Sequence, residues 1–309
     1  MPFVGGEIKP PMISVTLLFI NRPQSSYSDS LVMPFVPPAV MVFAANDPSG
    51  GAGMQADVLT LASMNCHPLP IITGITVQDT SRVEALLAMD AKWVDDQARC
   101  ILEDMPVAAF KLGVLGSVEI IAIIAEILAD YPDIPLIVDP VLASGGGDEL
   151  SSDDMISALN ELILPQTTLI TPNTLEARRL AQELAATDDE LDYPDCAKHL
   201  LETGCEYVLI TGTHHHTPEV INTLYNKNGV VRSDSWQRLP GSYHGSGCTL
   251  ASACTALIAQ SDDLAEAVRE AQEFTWQSLK SGFRPGMGQY IPDRLFWARA
   301  EEGDDGETH

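Results

Sequence analysis

Cys248 stands in "HGSGCTLASACTALIA" (244–259), where a glycine-rich turn gives way to small, apolar, helix-forming residues. A helix starting there aims its unpaired N–H groups and its positive dipole end back at Gly245, Ser246 and Gly247, a geometry that suits an anion. A thiol at the same point would lean toward thiolate. Equally, Cys248 could be a small side chain packed at a helix start. These residues alone leave both readings open.

Five other polar or glycine-rich clusters follow short apolar runs: "NDPSGGAGMQAD" (46–57), "TVQDT" (76–80), "DPVLASGGGD" (139–148), "TPNTLEA" (171–177) and "TGTHHH" (211–216). Each has an ordinary explanation. Asp57 could complement a helix dipole, and Asp139 before Pro140 could form a turn. Asn173 and Glu176 have the spacing of a capping box, which by itself accounts for both. Gln78 is a polar strand end with no necessary task. His214, His215 and His216 are consecutive, without metal-ligand spacing, and mark a loop. "GGAG" does not complete G-x-G-x-x-G, so a dinucleotide fingerprint is absent. Together, however, the clusters all fall at the ends of apolar runs.

The elements that must position them alternate. Runs such as "AVMVFAAN" (39–46), "PIITGITVQ" (70–78), "AAFKLGVL" (108–115), "PLIVDP" (135–140), "TLITPN" (168–173) and "EYVLITG" (206–212) read as strands. Amphipathic stretches between them read as helices, among them 117–131 and 152–164. "EVINTLYN" (219–226) and "GVVRSDSWQRL" (229–239), joined by "NKNG", predict an antiparallel edge. Two helices follow, from Gly247 and over 265–281. The pattern predicts an α/β three-layer sandwich with a mostly parallel central sheet, helices on both faces and a small antiparallel edge. Such sheets bind ligands at the carboxyl ends of their strands, where the clusters fall.

A net charge of −26 repels phosphate backbones and anionic lipid, so neither nucleic acid nor membrane is an expected partner. The acidic runs Thr187–Asp195 and Glu301–His309 read as solvated surface and a frayed end. Six cysteines without a C-x-x-C pair indicate reduced thiols in a cytoplasm. No apolar run has membrane-spanning length. Residues 1–37, rich in Pro and Ser, are expected to be a disordered extension, with Met33 and Met41 as alternative starts. The domain then spans 38–298, and 299–309 form a disordered acidic tail.

"AANDPSGGAGMQAD", "FKLGVLGS", "IVDPVLASGGGDEL", "LITPNTLEARRLA" and "RLPGSYHGSGCTLASA" occur in one order. In these the chain resembles the bacterial hydroxymethylpyrimidine/phosphomethylpyrimidine kinases of thiamine biosynthesis, members of the ribokinase-like superfamily. The resemblance covers about Val40 to Trp297. It implies a homodimer that uses ATP and Mg²⁺ to phosphorylate the pyrimidine's hydroxymethyl group, or the resulting monophosphate. By this resemblance Gln78 reads the aminopyrimidine edge, and Ala45, Asp57 and Val114 line its pocket. Asp139 and Glu176 fall in the metal region, with Asn173, Thr211 and Gly212 beside the nucleotide. Gly245, Ser246, Gly247 and Cys248 match the anion hole and catalytic base. The chain departs in lacking lysine at Ser144–Gly147 and at Thr211, and in carrying Ala45 and Asp79 for glycine and asparagine. Pyridoxal kinase of the same fold and a non-catalytic pyrimidine-binding module are the alternatives.

Overall fold

Strand β1 (Ala39–Ala45) is buried along its whole length, as a strand covered on both faces must be. Its side chains alternate between two cores. Met41 and Phe43 join Phe110, Leu112, Ile120 and Ile124 in one, while Val40, Val42 and Ala44 join Ile137, Leu209, Leu250 and Val268 in the other. This is the period of two expressed as two layers of packing.

The computed structural model describes residues 36–143, 147, 150–187, 189–213, 217–261 and 263–299. From Pro37 to Arg299 the described residues form one compact unit. The remaining strands are β2 (His67–Gln78), β3 (Val83–Ala88), β4 (Ala109–Leu112), β5 (Leu136–Val138), β6 (Leu169–Ile170), β7 (Tyr207–Thr211), β8 (Glu219–Asn226) and β9 (Gly229–Gln237). They form one sheet in the order β3-β2-β1-β4-β5-β6-β7-β8-β9. Strands β2, β1, β4, β5, β6 and β7 run parallel. The outer strand β3 at one side, and β8 with β9 at the other, are antiparallel.

Helices α1 (Gly53–Ser63), α7 (Ser246–Ile258) and α8 (Leu264–Lys280) cover one face of the sheet. The other face carries α2 (Ala91–Leu102), α3 (Val118–Ala129), α4 (Asp153–Ala158), α5 (Thr174–Ala185) and α6 (Tyr193–Glu202). The expected three-layer architecture is therefore present.

Two local expectations change. The expected helix over 152–164 is broken into α4, a π-helical turn at Leu159–Ile163 and a 3₁₀ turn at Leu164–Gln166. Pro165 lacks the N–H that an α-helix would need there. The described acidic residues of the run 187–195 are exposed, as expected of solvated surface, and the run also holds the start of α6, where the Asp192 side chain accepts from the Asp195 N–H. Met41 lies fully buried inside β1, so a chain beginning there would lose the strand's first pairings. The extension over 1–35, most of the loop over 144–149, the three histidines 214–216 and the tail from residue 300 lie outside the described residues. Among the described residues no helix is long and apolar enough to cross a membrane.

Candidate active site

Six parallel strands present their carboxyl ends at one edge of the sheet, and an open cleft of about 1070 Å³ lies there. Ala45, Thr76, Gln78, Val114, Asp139, Asn173, Glu176 and Thr211 enter it from strand ends and the segments just beyond. Gly245, Ser246, Gly247 and Cys248 enter it from the start of α7. Residues from 45 to 248 in the chain thus share one surface.

Two expected site residues are elsewhere. Asp57 is fully buried, held by Lys111 Nζ at 2.9 Å and by the Ser252 hydroxyl, which donates to it at 2.7 Å. It faces the interior because a lysine in the middle of β4 needs a counter-charge. Gly212 is buried against β8, its N–H donating to Asn222 Oδ1 at 3.1 Å. A Cβ there would overlap the Ile221 carbonyl, which explains the glycine without any ligand.

Gly245 is the N-cap of α7 and has φ 82°, in the left-handed region, where glycine alone is unstrained. A Cβ on it would run into the Gly51 carbonyl, so the two glycine turns are in direct contact. No side chain caps α7, and its first-turn amides are left for a ligand. Arg294 ties the two turns from below, donating to Gly51 O at 2.6 Å and to Thr249 Oγ1 at 3.0 Å. Burial brings its pKa down to about 10, and it remains a cation at neutral pH.

Cys248 is partly buried at the mouth of this turn. Burial pushes its thiol up, Asp139 adds to the effect, and the nearby Lys111 only opposes it. The expected lean toward thiolate is therefore reversed in the free protein, because burial and the neighbouring carboxylates outweigh the pull of Lys111.

Asp139 Oδ1 lies 3.7 Å from where a Gly247 Cβ would sit. Its other oxygen is buried without a hydrogen-bond partner, and Lys111 Nζ stands 3.9 Å from it. Burial raises the Asp139 pKa against the opposing pull of Lys111. Glu176 is pushed up to about 8 by burial and by Asp139. It also closes the α5 capping box, accepting from the Asn173 N–H at 2.9 Å. An orphaned carboxyl oxygen beside a second buried carboxyl group fits a hard divalent cation. Among the described residues no three such side chains converge.

Sequence reasoning overlooked Asp47 and His244. His244 Nε2 lies 2.8 Å from Asp47 Oδ2 and 3.3 Å from the Gln78 side-chain nitrogen. Asp47 also accepts from the amides of Ser49 and Ala52 at 2.8 and 2.7 Å. Burial alone would raise its pKa, but these bonds, that of His244 foremost, hold it down at about 2. The available signal was an aspartate opening one glycine turn and a histidine opening the other. At the far end of the cleft Gln272 Oε1 accepts from Asn222 at 2.9 Å and from Trp236 Nε1 at 3.0 Å.

This layering, with an anion-binding helix start at the carboxyl edge of the sheet, defines a ribokinase-like kinase of small molecules. The chain belongs to the phosphomethylpyrimidine kinase family, which matches residues 47–293, and is a phosphotransferase. It is 33% identical over 259 residues to the hydroxymethylpyrimidine/phosphomethylpyrimidine kinase of Streptomyces coelicolor, covering 82% of this chain and 93% of that one. Its structure is similar to that of phosphomethylpyrimidine kinase from Clostridium difficile (30% identity, TM-score 0.67, 79% and 100% coverage). It is also similar to pyridoxal kinase from Staphylococcus aureus in complex with ADP (27% identity, TM-score 0.77, 86% and 97% coverage).

Proposed function

We propose that the protein is the ATP-dependent kinase that phosphorylates 4-amino-5-hydroxymethyl-2-methylpyrimidine, its monophosphate or both, yielding the diphosphate used in thiamine biosynthesis. The observation that carries this reading is that Gln78, Asp139 and Cys248 share one cleft with the open N-terminus of α7. Gln78 orients the ring between Ala45 and Val114, and its reactive oxygen meets the γ-phosphoryl group at Gly245–Cys248. A P–O bond to the substrate forms, the bond to the β-phosphate breaks, and ADP leaves. The amides of Ser246, Gly247 and Cys248 stabilise charge on the transferring oxygens. Cys248 is placed to take the hydroxyl proton in the first phosphorylation. Asp139 and Glu176 would hold Mg²⁺, which when bound neutralises phosphate charge. Thr211 and Asn173 flank the nucleotide, which is held by backbone rather than by a lysine at 211.

All six cysteines are free thiols, which supports a cytoplasmic setting. The apolar face formed by Ile75, Val77 and Leu87 on β2 and β3 is exposed and supports a homodimer.

The likeness to pyridoxal kinase favours one second reading, phosphorylation of pyridoxal. Side-by-side kcat/KM for the hydroxymethylpyrimidine and for pyridoxal, with ATP and Mg²⁺, tests both. A higher value for the pyrimidine supports the first reading, and a higher value for pyridoxal replaces it. In the same assay Gln78→Leu should raise KM for the ring about 5- to 100-fold, as for one lost hydrogen bond in a desolvated pocket, with KM for ATP little changed. Equal losses for both ligands would make Gln78 structural.

A further inference from the structure

Gln78, His244 and Asp47 come from three separate elements, the end of β2, the residue before the α7 turn and the loop after β1. Their polar atoms nevertheless meet. His244 is buried, and its ring fills the space over Gly51, where a Cβ would overlap it. Its backbone N–H donates to Tyr290 O at 2.8 Å, which fixes the residue from the other side. On β2, Thr76 donates through its N–H to Asn46 Oδ1 at 2.9 Å and through its hydroxyl to Asn46 O at 2.8 Å. The strand end carrying Gln78 is thereby tied to the same loop as Asp47. Asp47 and His244 are thus held by bonds of their own, and Gln78 by the strand that carries it.

The proton positions follow from Asp47. A buried carboxylate that accepts two backbone N–H bonds is ionised and can only accept. His244 Nε2, 2.8 Å from it, must therefore carry a hydrogen and donate. That same nitrogen cannot then accept from a Gln78 –NH₂ at 3.3 Å. Two donors facing each other repel, and the oxygen and nitrogen of a glutamine amide are assigned by their partners. The consistent arrangement turns the amide over. Its Oε1 then shares the one His244 Nε2 hydrogen as the longer arm of a bifurcated bond whose short arm goes to Asp47 Oδ2, and its –NH₂ is directed away from His244, as a donor to a ligand in the cleft.

We propose that His244, held by Asp47, is a specificity-determining positioning residue that turns the Gln78 amide donors toward the ligand. The kinase thereby selects a six-membered heterocycle that presents a ring-nitrogen acceptor to that donor. This rests on the reading of the reaction given above and adds the chemical feature by which the ring is chosen. A ring with a C–H at that place would leave the Gln78 donor desolvated and unpaired, and this penalty gives the discrimination.

The test compares the aminopyrimidine with its analogue in which the ring nitrogen beside the amino-bearing carbon is replaced by C–H. The wild-type enzyme should favour the pyrimidine in kcat/KM by about 5- to 100-fold, as one such hydrogen bond allows. His244→Phe keeps a ring over Gly51 but has no donor, so the ratio between the two rings should fall toward one. His244→Gln restores an N–H near the place of Nε2, and the ratio should recover. Gln78→Glu leaves the pocket wall intact and can only accept, so it should collapse the ratio even if His244→Phe folds poorly. An unchanged ratio in His244→Phe and Gln78→Glu, or equal losses on both rings, overturns the relay while leaving the reaction standing. A wild-type enzyme that phosphorylates neither ring overturns the reaction and the relay together.

Discussion

At the level of single residues, charge and burial decide what each site group can do. Cys248 illustrates this, because its backbone place favours a thiolate while its surroundings oppose one. A base acts when deprotonated, and burial raises this thiol's pKa, so a rate governed by it should climb with pH through the alkaline range. Cys248→Ser should lower kcat for the hydroxymethyl substrate about 10²-fold, as for a lost general base, and flatten that rise, with the melting temperature unchanged. A serine enzyme with near-normal kcat and the same pH profile would mean that Cys248 only packs. Asp57 leads to the opposite expectation. Its removal strands the Lys111 ammonium, which is completely buried, and breaking such a pair costs about 3–5 kcal/mol. Asp57→Asn should therefore lower the melting temperature while leaving KM for the pyrimidine near normal; the reverse pattern would restore Asp57 to the pocket. The sequence resembled a pocket lining at Asp57 because order and spacing do not tell which side of a helix faces a ligand. A lysine amid the apolar residues of "AAFKLGVL" was the clue to its true partner.

At the level of elements, legibility followed how strongly local pattern and tertiary context agreed. β1 and β8 were visible as an unbroken apolar run and as an alternating strand before a turn. β3, "VEALLA", was not, since its residues suit a helix and only pairing with β2 makes them a strand. The helix α6 was masked by the acidity of the run that caps it. The α7 turn was legible because its glycines precede a helix-forming run, yet its contact with Gly51 is a long-range fact that no local pattern carries. That contact yields a prediction. Gly245→Ala forces an L side chain into φ 82° and into the Gly51 carbonyl. The first turn of α7 must then shift, and a displacement of about 1 Å at the reacting group can cost ~10²-fold in rate. Gly229 provides the control. It has φ 107° in the β8–β9 turn with open space around it, so Gly229→Ala should cost about 1 kcal/mol of stability and no activity. Steady-state kinetics beside thermal melts separate the two, and an active Gly245→Ala enzyme would remove the anion turn from catalysis.

At the level of the whole molecule, the parallel core accounts for the cleft, but β2 and β3 extend its sheet as a ribbon with an unusual outer face. Ile75 pairs with Leu87 and Val77 with Ala85, so Ile75, Val77 and Leu87 fall on one face. Their exposures are 48%, 57% and 68%, high for aliphatic side chains standing together. The opposite face carries Gly74, Thr76 and Gln78 toward the loop after β1 and the cleft. Association of two copies through the apolar face would bury it in an isologous contact and stiffen the ribbon that holds Gln78. The two consequences can be measured apart. Val77→Glu with Leu87→Glu should shift the protein from dimer to monomer in sedimentation velocity. The monomer should keep its melting profile but show a higher KM for the pyrimidine than for ATP, relative to wild type, since only β2 loses support. A double variant that remains dimeric would place the interface elsewhere, and a monomeric wild type would leave the apolar face without a second copy to cover it.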